Sequence, residues 1–481
     1  MAITDLVALL PLVVLVVWTL VLLLVDLWIP EQRKGITALL AATGLAVSLG
    51  LTLSQVGRNQ LAFNNMAVVD GFAVYLNILF LASGLVGIAI AYDYLKRMGI
   101  ERGEYYVLLL FAISGMMLMA YAYDLIVVFL ALELLSIPLY ILAGFARPRL
   151  YSEEASLKYF LLGAFASGFV LYGVAMVFGA TAQTNLPGIL NSITTGSANA
   201  GLMLVGAGLL LIGFGFKVAA VPFHMWTPDV YQGAPTAVTG FMSVAAKAAG
   251  FTALLRVFVI VFPGYSTQLV PILWVLAGLT MLFGNIAAIS QRNIKRMLAY
   301  SSISHAGYIL MAFVSFGNKN VSGSVLGSAL FYLMAYAVTS LGAWAVVTAV
   351  EKAEGKGLDL QDYAGLGKKY PFLAAAMLIF MLSFTGVPPT LGFWGKFYLF
   401  RTAVEGGNIG LAVIGLLASL ISAYYYLRVV VVMYMQPGEP DAQREPWVNL
   451  AALIAAAATL LLGLIPGPLF EMAAQALLRL N

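Results

Sequence analysis

Five ionisable side chains stand where hydrocarbon should exclude them. Glu133 in LALELLSIPLY, Lys217 in GFGFKVAAVPF, Lys247 in SVAAKAAGF, His305 in SSISHAGY and Lys396 in GFWGKF each lie deep inside a long apolar run. A charge at the centre of a bilayer costs about 2.5–3.5 kcal/mol on insertion scales, a burden that packing alone does not require. Glu133 alone would fit a structural ion pair with one lysine, but one carboxylate cannot neutralise three. A lysine without a counter-ion keeps its charge only where water or polar protein solvates it, and otherwise gives up its proton. A group that releases a proton readily can also pass one on, and His305, with an unperturbed pKa of about 6.5, suits the same relay. Two charges 10 Å apart at an effective dielectric near 20 interact by about 1.7 kcal/mol, so protonating one lysine can expel the proton of the next. Displacing Glu133 relative to Lys217 would bias the whole row. Two histidines are also the pattern of axial haem ligation, but His224 abuts a helix break while His305 lies deeper, which separates them.

The elements that hold these groups are membrane helices. The chain has 481 residues, of which 62% are hydrophobic and 10% charged. Apolar runs long enough to cross a hydrocarbon core of roughly 30 Å recur from end to end. They predict an all-α polytopic membrane protein of about fourteen spans, near 4–29, 36–56, 72–92, 105–121, 125–145, 157–180, 201–227, 235–262, 269–289, 297–316, 325–350, 372–404, 408–435 and 447–470. The first span lacks a basic leading region and a small-residue cleavage site, so it reads as a retained helix. With the amino terminus outside, fifteen loop lysines and arginines from Arg33 to Arg444 fall on the cytoplasmic side, against Arg58, Lys319, Arg401 and Arg479 outside. That bias orients the chain with both termini on the outer side of the membrane.

The remaining basic residues divide by depth. Arg256 and Arg428 lie toward span ends, where a long stem can snorkel to the interface. Lys158, at the start of its span, could do the same or take part in the relay. Asp5, Asp26 and Glu471 also lie near span ends, where solvation accounts for them. The net charge of +4 is spread over separate loops and points to topology, not to nucleic acid. The absence of cysteine excludes a thiolate-ligated iron–sulfur cluster, a disulfide and a cysteine zinc site within the chain. Without a glycine-rich nucleotide motif either, any electron transfer linked to this protein runs elsewhere.

An internal repeat organises the spans. ELLSIPLYILAGF from Glu133 aligns with SSISHAGYILMAF from Ser301, matching Ser136 to Ser304, Tyr140 to Tyr308 and Phe145 to Phe313 at an offset of 168. AVPF around Pro222 corresponds to GVPP around Pro388 and Pro389. The repeat unit holds five spans, so its second copy runs through the membrane upside down. The expected divisions are three helices over 1–104, repeats over 105–262 and 263–435, and a last helix over 436–481. Proline removes an N–H and clashes with the preceding turn, and such a break survives in a membrane only beside water or polar protein.

The segments FKVAAVPFHMWTPDVYQGAPTAVTGFMSVAAKAAGF, NIKRMLAYSSISHAGYILM and MLSFTGVPPTLGFWGKFYLF resemble the antiporter-like membrane subunits of complex I, the proton-pumping NADH:quinone oxidoreductase. The resemblance covers nearly the whole chain. It sets aside the branch with glutamate in place of Lys396, and the branch that continues into a long lateral helix. It implies that Glu133 pairs with Lys217 of the broken seventh span, that Lys158 on the sixth lies near that glutamate, and that Lys247 connects the halves. His305 would be a relay member and Lys396 the lysine of the outward half-channel. It further implies no cofactor in this chain, with flavin and iron–sulfur clusters in partner subunits. The expected partners are the adjacent antiporter-like subunit M, the lateral helix of subunit L, small subunits K, J and A, and the lipid bilayer. Multisubunit cation/proton antiporters and membrane-bound hydrogenases use a similar module, and both stand as alternatives.

Overall fold

The computed structural model describes residues 3–318, 320–352 and 355–479; Lys319, counted above among the outer basic residues, lies outside them. Among the described residues, twelve helices are long and apolar enough to cross a membrane. These twelve and four further helices build the bundle. They are α1 (Leu10–Trp28), α2 (Gly35–Leu53), α3 (Gly71–Arg97), α4 (Gly103–Tyr121), α5 (Leu125–Ala143), α6 (Leu150–Thr181) and α7 (Ala200–Val218). After the first break come α8 (Trp226–Gly233), α9 (Thr236–Val261), α10 (Pro263–Ile289), α11 (Ile294–Phe313) and α12 (Ser322–Val350). The second break separates α13 (Pro371–Thr385) from α14 (Leu391–Glu405), and α15 (Ile409–Met435) and α16 (Pro446–Leu464) complete the set. Two of the fourteen expected spans are not among the twelve. Lysine, arginine, serines and histidine lower the hydropathy of α11, and the span expected at 372–404 is cut into α13 and α14. Strand is confined, among the described residues, to a small hairpin pairing Gln60–Ala62 with Ala67–Val69.

Helix pairs approach closely where glycine removes a side chain. A Cβ on Gly115 of α4 would stand 2.4 Å from the backbone of Leu135 on α5. Gly284 of α10 has the same relation to α11, at 2.7 Å from the Ser304 backbone. Hydrocarbon gives apolar helices little reason to associate, so this close packing is what holds each pair. The halves meet along α9, which is walled in on all sides, and it packs on both α7 and α12.

The loops carrying most of the basic residues meet at one end of the bundle. Arg97 pairs there with Glu445 at 3.1 Å and Lys352 with Asp441 at 3.0 Å. Arg428 reaches the same end and caps α10 by donating to the Ile289 and Gln291 carbonyls. Asp26 departs from its solvated reading, because it is buried and paired with Lys34 at 2.8 Å.

Arg256 corrects the snorkelling interpretation. It sits near the end of α9, but that end is enclosed, so its guanidinium has no interface to reach. It forms two parallel 2.9 Å hydrogen bonds with Asp70, the capping residue of α3, and a 2.6 Å bond to the Ala120 carbonyl. The ring of Phe72 lies 4.8 Å below it. A buried charge is tolerated here because a second buried charge meets it in fork geometry.

Candidate proton-transfer site

The first break follows Val218, where Ala219 takes a left-handed conformation at φ 62° and ends α7. Breaking a membrane helix frees backbone groups that hydrocarbon cannot satisfy. Neighbours satisfy them here: the Val221 N–H donates to Thr280 Oγ at 2.9 Å, and the Trp226 indole donates to the Phe216 carbonyl at 2.9 Å. Lys217, in the last turn before this break, is 4% exposed. Its ammonium donates to Ser136 Oγ at 2.7 Å and Tyr159 OH at 3.4 Å, with the Tyr140 ring centroid at 5.8 Å.

The second break reverses the order. Gly386, at φ 90°, ends α13, Pro388 and Pro389 follow, and Lys396 stands one turn into α14. Its ammonium donates to the Thr385 carbonyl at 2.9 Å, a group freed by the break itself, and to Ser419 Oγ at 2.8 Å. The Tyr308 ring centroid lies 4.9 Å away. Tyr140 and Tyr308, matched in the sequence repeat, thus each face the lysine of their own broken helix.

Between these ends the row continues through α9 and α11. A π-helical segment, Met242–Ala246, immediately precedes Lys247 and locally widens α9, a distortion often met at functional sites. Lys247 donates to the Ser302 carbonyl, and Lys217 packs against Gly250 one turn further along. His305, one turn beyond Ser302, shares hydrogen bonds with Tyr332 OH through Nδ1 and with Tyr426 OH through Nε2, the latter at 3.0 Å. Lys217, Lys247, His305 and Lys396 are all buried, and each makes its polar contacts with neutral oxygens.

Two expected relations differ. Glu133 does not form an ion pair with Lys217: Ser136, one turn along α5, accepts from the lysine instead, while Ser167 on α6 donates to the glutamate. Lys158 does not lie near Glu133 either, since Ser167 occupies that place about 13 Å further along α6. Lys158 bonds Asp229 at 2.8 Å and Glu154 at 2.7 Å at the basic end. His224 lies in the first break against the Phe283 ring, apart from the row of lysines.

Asp229, on the far half of the first broken span, was missed as a site residue. It bridges Lys158 on α6 and Arg296 on α11, the latter at 2.7 Å. Burial alone would raise its carboxyl, but the hydrogen bonds from Lys158 and Arg296 outweigh this and hold it below the usual range. The bridge lines a cavity of about 650 Å³ that opens at the basic end and includes the buried residues Lys295 and Glu351. Ser136, Tyr159, Thr385 and Ser419 were missed too. Of these only Ser136 carried a sequence signal, its match to Ser304 in the repeat.

A family model described as NADH:quinone oxidoreductase/Mrp antiporter, transmembrane, matches residues 122–422. The chain is 46% identical over 473 residues to NADH-quinone oxidoreductase subunit N of Trichlorobacter lovleyi, covering 97% of this chain and 96% of that one. The chain belongs to the NADH-quinone oxidoreductase subunit N family. A chain of respiratory complex I from Thermus thermophilus superposes at a TM-score of 0.82 and 38% identity, covering 96% of this chain and 99% of that one. The Mrp complex from Dietzia sp. contains a chain that superposes at a TM-score of 0.86 with 21% identity, covering 99% of this chain and 97% of that one, a likeness of fold. Family membership and the antiporter-like membrane fold agree with the sequence-based expectation.

Proposed function

We propose that this chain is the subunit N module of a bacterial NADH:quinone oxidoreductase and carries protons along Glu133, Lys217, Lys247, His305 and Lys396. Redox chemistry in partner subunits drives the transfer and places the assembly among proton-translocating oxidoreductases, while this chain holds no flavin, cluster or quinone chemistry. Its partners are the adjacent subunit M, the lateral helix of subunit L and small subunits K, J and A. The protein lies in the inner membrane with its basic end in the cytoplasm and both termini outside.

One observation carries the reading: among the described residues, the three lysines of the row have no carboxylate in contact, only hydroxyls and carbonyls. Neutral oxygens solvate an ammonium without committing its proton, so each lysine can exchange with the next. The cavity at the basic end serves uptake, with Lys158 and Asp229 at its wall as an entrance that is not itself part of the row. Lys247 and His305 join the two halves, and Lys396 releases protons toward the opposite face. Glu133, at the head of the row, governs its first lysine: drawn toward Lys217 it would hold the proton there, and drawn away it would release it. Pro388 and Pro389 keep the Thr385 carbonyl free for Lys396, and Pro222 holds open the first break, beside which Lys217 lies. The test is Lys217→Ala in the intact complex reconstituted into vesicles. Fewer protons pumped per electron is the expected result, and an unchanged ratio would refute the assignment.

A further inference from the structure

Away from the proton row, a groove opens on the outer face of α2, α3 and α16. Its mouth, at the basic end, is lined by Arg33, Asp93, Lys96 and Glu101, none of which forms an ion pair with a described residue. Below the mouth the groove forks at Trp447 and Ala89. One limb, part of a space of about 710 Å³, runs between α2 and α3 past Ala42. The other, about 300 Å³ and almost wholly apolar, runs between α3, α12 and α16 as far as Ala458.

We propose that this groove is a binding site for one phospholipid with a primary-amine headgroup, its two acyl chains occupying the two limbs. The depth fits a lipid better than a partner helix. From Trp447 to Ala458 along α16 is about 17 Å, half of a hydrocarbon core of roughly 30 Å and so the reach of one leaflet. Trp447 sits where an indole marks the membrane interface. The mouth carries two positive and two negative side chains, which complement a zwitterion and not a purely anionic headgroup. Arg33 and Lys96 suit the phosphate. Asp93 accepts the Trp447 backbone N–H, and its Oδ2 is buried without a hydrogen-bond partner, which calls for a further donor. A primary ammonium supplies one, whereas a quaternary ammonium has none.

The test uses the intact complex, stripped with mild detergent and re-equilibrated in vesicles of equal phosphatidylethanolamine, phosphatidylcholine and phosphatidylglycerol. Lipid that survives repurification is quantified by mass spectrometry in wild type, Ala89→Phe, Ala458→Phe and Asp93→Asn. The wild type is expected to retain one more phosphatidylethanolamine than either phenylalanine variant. Its preference over phosphatidylcholine should be about tenfold, the worth of a charge-assisted hydrogen bond, and Asp93→Asn should erase most of it. Two phenylalanine positions guard against one of them failing to assemble. Equal retention of the three lipids, unchanged lipid in both phenylalanine variants, or a protein helix filling both limbs in the assembled complex would each overturn the proposal. None of these results bears on the proton row, so the two readings fail separately.

Discussion

Arg256 and Lys217 are both charged groups sealed inside the same bundle, yet they are built in opposite ways. Arg256 meets Asp70 in a doubly bonded fork, donates a third bond to a carbonyl and lies over an aromatic ring. Lys217 has a serine, a tyrosine hydroxyl and an aromatic ring, and the nearby Glu133 carboxylate stands outside ion-pair distance. Lys247 and Lys396 follow the Lys217 pattern. A charge that must hold a structure is given a fixed partner. A charge that must come and go is given solvating oxygens that accept it and let it leave.

The two designs predict different failures. Arg256→Ala leaves Asp70 buried and uncompensated, so it should destabilise the protein by about 3–5 kcal/mol, read as a lower melting temperature or lost assembly of the complex. Lys396→Ala should do the reverse. It leaves only neutral oxygens behind, keeps the fold, and slows proton transfer through this subunit by about a hundredfold, the lower range for removing a positioned acid–base group. A sharper test converts one design into the other. Ser136→Asp would give Lys217 a fixed counter-ion like that of Arg256; it should preserve or raise stability while slowing redox-driven proton uptake about tenfold.

A smaller effect concerns the entrance. The depressed Asp229 carboxyl keeps its bridge to Lys158 and Arg296 above the normal carboxylate range, and loses it only as pH falls through the lowered value. Activity between about pH 5 and pH 8 should therefore have the same pH profile in wild type and Asp229→Asn, differing in rate alone. A titration step in that window that disappears in Asp229→Asn would contradict this bridge.

Much of this was legible from residue types and their depth. Lys217, Lys247, His305 and Lys396 announced themselves by standing far inside apolar runs, and the shared prolines announced the breaks. What the chain could not disclose was which neighbours arrive from other helices. Ser419 is an unremarked serine in an apolar helix until the fold sets it 2.8 Å from Lys396. Thr385 acts through its carbonyl, which every residue has, so no side chain flagged it. Arg256 was misread because a sequence gives the distance to a helix end but not whether that end is enclosed. Lys158 was misplaced because a helix of 32 residues carries Lys158 and Ser167 to different depths.

Proton counting in Lys247→Met vesicles tests the central claim most directly. Methionine keeps the side-chain volume and removes the exchangeable ammonium, with its bond to the Ser302 carbonyl, at the junction of the two halves. With the intact complex oxidising NADH, fewer protons should cross per electron than in wild type while the assembly stays whole. An undiminished count would show that the lysine row does not conduct.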